Sequence, residues 1–252
     1  MTGLVLAAAL AIGAVSTPLN AVFDRFEGSG DVMLTGQVIA AIETSPALVR
    51  QLDELATSGA LKSLTLGSES GPLGASHKDG VITLTPAFVD EQTPADGSDL
   101  SARTQIGERD LVFVLGYMAS KLKTEPATAA AQARLVALNA TAASTPKGGP
   151  IDGDPAMHAQ MALKADEEAR AYLQGWNDEI DAQTAAKGAP LTGAEAITLL
   201  QESRNAGLLR AAANAPPNQR LETSPTFEFP ATQRNIDILA KAIWTAEVPD
   251  FM

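Results

Sequence analysis

Arg109–Lys123, RDLVFVLGYMASKLK, is the stretch on which the fold turns. Leu111, Val112, Val114, Leu115 and Met118 make it strongly apolar, yet it is shorter than the roughly twenty apolar residues of a membrane span. It reads as a helix buried inside a globular protein. Downstream, Ala127–Ala143 is an alanine-rich helix closed by Ser144–Pro150, and the loop runs on through Ile151-Asp152-Gly153-Asp154. Pro155 to Lys187 reads as the longest helix, followed by a helix over Thr192–Ala213 and a last one over Ala231–Ala246. Upstream, a polar loop reaches back from Gly107 to a short helix that Thr85-Pro86 opens and Val89 ends. Val32–Ile42 and Pro46–Thr57 are two earlier helices. Ser45-Pro46 supplies a cap and a first-turn proline, and Leu48, Leu52 and Leu55 make one apolar face. Leu61–Gly67 and Gly80–Thr85 alternate like strands, and Lys78-Asp79-Gly80 is a hairpin signal. The fold class is therefore α+β, mainly helical, with a small antiparallel sheet in the first third.

Composition narrows the chemistry. The chain has 252 residues, no cysteine, two histidines, and 30 acidic against 18 basic side chains. Disulfides, thiolate metal sites and cysteine nucleophiles are excluded. A net charge of -12 argues against binding nucleic acid, which needs basic patches to displace counterions. Aromatics are 4% of the chain, so the core rests on aliphatic side chains and alanine, which let helices approach closely. Three segments are expected: an uncharged N-terminal stretch and joint (1–30), a main domain (31–213), and a proline-rich linker with a C-terminal helix (214–252).

Met1–Phe23 carries no charge. Gly3–Val15 fits a buried helix, a membrane-associated segment or an atypical export signal, since no basic residue precedes the apolar run. Among nucleophile motifs, Gly67-Ser68-Glu69-Ser70-Gly71 lacks the strand-to-helix setting of a catalytic serine. His77 reads as an exposed turn residue. Asp152, Asp154 and His158 lie together at a helix entrance and are weak metal candidates, but aspartate there is ordinarily a cap. His158 and Glu168, ten residues apart on one helix, are separated by about 15 Å of rise and cannot share an ion on a straight helix.

Several blocks in order, GVITLTPAFV (80–89), ERDLVFVLGYMASK (108–121) and KADEEARAYLQGWND (164–178), resemble a zincin-like metallopeptidase family associated with secreted bacterial effectors and polymorphic toxins. Ile42–Leu48 and Leu191–Leu209 extend the likeness to about residues 35–212. The resemblance implies zincin-like helices: one carrying a His-Glu-x-x-His motif, and a later one contributing a glutamate. Zinc chemistry needs both imidazoles one turn apart and a glutamate to take a proton from the bound water. Here the motif positions read Tyr117-Met118-Ala119-Ser120-Lys121, so Tyr117, Met118 and Lys121 stand for the first ligand, the base and the second ligand. Glu168, or Glu167 beside it, stands for the third ligand. The same helix also fits a plain core role with no lost motif.

The charge swap suggests that Lys121 and Glu168 face each other as an ion pair in place of a metal. The resulting expectation is a catalytically inactive, metallopeptidase-like domain without a cofactor. It would act on a protein partner: an immunity protein, a chaperone or a target, within a bacterial secretion setting. Two alternatives stand beside it. One is a metal-dependent hydrolase with a non-standard site, for which zinc would be required. The other is an effector that acts on membranes through residues 1–23.

Overall fold

The computed structural model describes residues 16–28, 30–68, 71, 73–91, 100–144 and 154–247. Three short helices open it: α1 (Thr17–Glu27), α2 (Val32–Thr44) and α3 (Pro46–Thr57). Each starts on a residue chosen for the job. Ser16, Asp31 and Ser45 turn their side-chain oxygens onto first-turn amides, and Pro18 and Pro46 sit where no amide is needed. A second carboxylate reinforces the start of α3. Asp181 accepts from the Ala47 amide at 2.7 Å and from the Ser45 hydroxyl at 3.0 Å, tying α3 to a helix far along the chain.

The sheet follows as β1 (Ser63–Leu66), β2 (Ala75–Lys78) and β3 (Val81–Leu84), in the order β1-β3-β2. It is mixed rather than purely antiparallel. The hairpin signal is real, with Asp79 and Gly80 both at positive φ as a two-residue turn requires, but it joins β3 to β2. β1 instead runs parallel to β3. β2 escapes a sequence reading because Ala-Ser-His-Lys carries no alternating large apolar residues.

A short helix α4 (Pro86–Glu91) leads toward two helices that dominate the molecule, α5 (Leu100–Ser144) and α6 (Asp154–Lys187). The sequence suggests a polar loop to Gly107 and a break near Pro126. Instead, α5 takes in the end of that stretch from Leu100 and runs on through Pro126. Pro126 withdraws one amide from the helical ladder and lies on the exposed side of the helix, where a freed carbonyl costs least. The Thr192–Ala213 segment goes the other way, breaking into α7 (Gly193–Glu202) and α8 (Gly207–Ala213). Thr192 and Glu195 form a reciprocal capping box at the start of α7, and Lys187 reaches the same carboxylate at 2.6 Å. Those bonds hold the exposed Glu195 carboxyl down at about 2.

α5 and α6 are antiparallel and form the spine. The buried face of α5 runs from Leu111 through Phe113 and Leu115 to Leu122; α6 answers with Ala169, Leu173, Trp176 and Ile180. α9 (Gln233–Glu247) packs on α6 through Ile236, Leu239 and Ile243. The stretch between α8 and α9, where a linker is expected over 214–226, is clamped to α6 just beyond that span. Trp176 Nε1 donates to the Phe227 carbonyl at 3.1 Å, and Asn177 both donates to the Phe229 carbonyl and accepts its amide. At the other end, Leu19, Val22, Phe23 and Phe26 of α1 are buried against the sheet and α3. Gly3–Val15 lies outside the described residues. Among the described residues, no single helix is long and apolar enough to cross a membrane.

Candidate functional site

The site forms where the middle of α5 crosses α6. Tyr117 and Lys121 are one turn apart on α5, so their side chains leave the same face. Both reach Glu168 on α6. The Tyr117 hydroxyl donates to Glu168 Oε2, and Lys121 Nζ lies 2.7 Å from Glu168 Oε1. The lysine also contacts Glu167 Oε1 at 3.0 Å, and the Thr128 hydroxyl donates to the other oxygen of Glu167. One ammonium thus bridges two carboxylates, with a phenol and a threonine supplying further donors.

This is a secluded pair. The Lys121 side chain is 13% exposed, Glu167 5% and Glu168 27%. A carboxylate at that depth requires a cation or several donors; here both are present. Tyr117 is almost fully buried, packed edge-on against Tyr172 with ring centroids 5.3 Å apart. Burial raises its phenol well above the ordinary value, and the neighbouring Glu168 carboxylate pushes it further. The phenol therefore remains protonated at neutral pH. It serves as a hydrogen-bond donor to Glu168.

A cleft of about 700 Å³ opens beside this cluster, with Lys121, Glu125, Glu168, Met161, His77 and Trp244 among its walls. His77 belongs to β2 and is half-buried, not the exposed turn residue its sequence context suggests. Burial lowers its pKa, and the Lys121 ammonium lowers it further against the pull of the surrounding glutamates. Glu125 closes the end of the strand by accepting the Asp79 amide at 3.0 Å. No sequence signal links His77, Glu125 and Thr128 to the motif positions; they arrive through the sheet and through α5 one and two turns further on.

Met118, which the family resemblance would set at the general-base position, is buried in the core with 3% exposure. The entrance candidates do not join the cluster. Asp152 lies outside the described residues, Asp154 opens α6, and His158 is exposed ten residues, about 15 Å of helix, before Glu168. Among the described residues no three histidine, aspartate or glutamate side chains are grouped so as to hold a metal ion. The residues that converge on Glu168 do not fit zinc: a protonated phenol is a poor ligand, and an ammonium occupies a cation's place. No protein-family model matches the chain, and no curated protein or solved structure is detectably similar to it.

Proposed function

We propose that the chain is a non-catalytic, zincin-like domain that works by binding another protein, related to bacterial effector or toxin scaffolds. One observation supports this above all: positions 117 and 121, one turn apart on α5, both engage Glu168 of α6. That is the arrangement in which the resembling metallopeptidases would set two imidazoles and a carboxylate around zinc. In this chain the cation is covalently built in as Lys121, and the first ligand has become a donor. The proton-accepting position is a buried methionine. What remains is a stable cleft whose walls mix charge with the exposed Trp244 indole, chemistry suited to recognition more than to hydrolysis.

The test is metal loading. Full-length protein equilibrated with zinc and then desalted should retain far less than one equivalent, and should cleave no unstructured protein substrate. Stoichiometric zinc that disappears in Glu168→Ala would overturn the reading in favour of a hydrolase with an unusual ligand set.

A further inference from the structure

A second buried carboxyl sits on the same helix crossing, outside the cluster. Asp178 of α6 has no exposed surface. Its Oδ1 accepts from Gln174 Nε2 at 2.9 Å, while Oδ2 has no hydrogen-bond partner among the described residues. That second oxygen faces Gly116 of α5, so near that a Cβ at 116 would stand 2.2 Å from it. Three residues back on each helix, a Cβ at Gly175 would stand 2.6 Å from the Phe113 carbonyl oxygen. The two glycines let α5 and α6 meet backbone to side chain with nothing between them. The charged groups acting on Asp178 are Asp181, one turn on along α6, and Arg50 of α3. Asp181 already accepts from the start of α3.

We propose that Asp178 is a protonation latch on this crossing: neutral, it lets the helices close at Gly116, and ionised, with one oxygen unsatisfied, it loosens α5 next to Tyr117. A carboxylate buried with a missing donor is costly, whereas the acid form is not. Burial raises the carboxyl to about 7; Asp181 adds to the rise, and the Gln174 bond and Arg50 oppose it. A carboxyl whose folded value lies above its unfolded value holds extra protons in the closed state. The stabilisation is complete at about pH 4 and below, fades as pH rises toward 7, and changes no further above that. The cleft beside Tyr117 and Lys121 would therefore be clamped in an acidic setting and released near neutrality. This latch does not depend on the metallopeptidase reading, because Asp178 is not one of the positions that stand for zinc ligands or base.

Two measurements on the full chain test it. Carboxyl-carbon NMR should show Asp178 titrating near pH 7. Hydrogen exchange of the 116–121 amides, corrected for the intrinsic rate, should show protection falling by up to about tenfold per unit between pH 4 and 7. In Asp178→Asn that dependence should vanish. Titration of Asp178 below pH 5, or protection with the same pH dependence in the asparagine variant, would sink the proposal. If Asp178→Asn does not fold, the wild-type titration and exchange profile decide alone.

Discussion

At the level of single side chains, Lys121 carries more than Glu168 does. Removing Glu168 leaves the ammonium paired with Glu167; removing Lys121 leaves two adjacent, mostly buried carboxylates with no cation. Lys121→Met should therefore cost roughly 3 kcal/mol in urea unfolding, and Glu168→Gln only about 1 to 2. The double variant should recover part of the lysine loss, because the second change takes away one of the stranded charges. Equal costs for the two single variants would mean that the bridge is not what holds the pair. This part of the site was legible in the sequence, because a lysine where a zinc ligand is expected asks for an acid opposite, and Glu168 and Glu167 were the available ones. Tyr117 as donor to the same carboxylate was not legible. Its role depends on the crossing geometry, and in sequence Tyr117 reads only as standing where the resemblance sets a first zinc ligand.

The helices and strands make a different point, since their contacts depend on what is missing. Gly175 faces the Phe113 backbone oxygen, which cannot swing aside, so Gly175→Ala should force α5 and α6 apart at a cost of roughly 1 to 3 kcal/mol. Gly36, inside α2, has nothing within 4 Å of where its Cβ would be. Gly36→Ala should accordingly stabilise by about 0.5 to 1 kcal/mol through helix propensity alone. Thermal or denaturant melts of the two variants should move in opposite directions; a shared direction would contradict the close crossing. Helix starts were readable because caps are local: Ser45-Pro46 and Thr192 with Glu195 announce themselves. The limits of α5 were not. The start of α5, among polar residues from Leu100, is helical only as a continuation of the buried stretch, and Pro126 is tolerated because its side of the helix is exposed. The strand register was hidden too. A turn signal states that a hairpin exists, and it does not state which earlier strand returns to pair in parallel.

For the molecule as a whole, two long antiparallel helices form a spine to which several elements are tied by specific bonds. Asp181 holds α3, Asn177 and Trp176 hold the segment before α9, and Lys121 holds α6 to α5. The mainly helical class followed from alanine content and helical periodicity. The association of residues 214–232 with α6 did not, since it runs through backbone groups of Phe227 and Phe229 that no side-chain pattern advertises. On this frame we propose that α5 and α6 set Tyr117, Lys121 and Glu168 where the resembling metallopeptidases would place their zinc ligands. The most direct measurement puts them back. The Tyr117→His, Met118→Glu, Lys121→His triple variant sets two imidazoles one turn apart opposite Glu168 and puts a carboxylate between them in sequence. If the account holds, the folded variant binds one zinc per chain and loses it when Glu168→Ala is added. A triple variant with native secondary structure and no more zinc than the wild-type chain would contradict it.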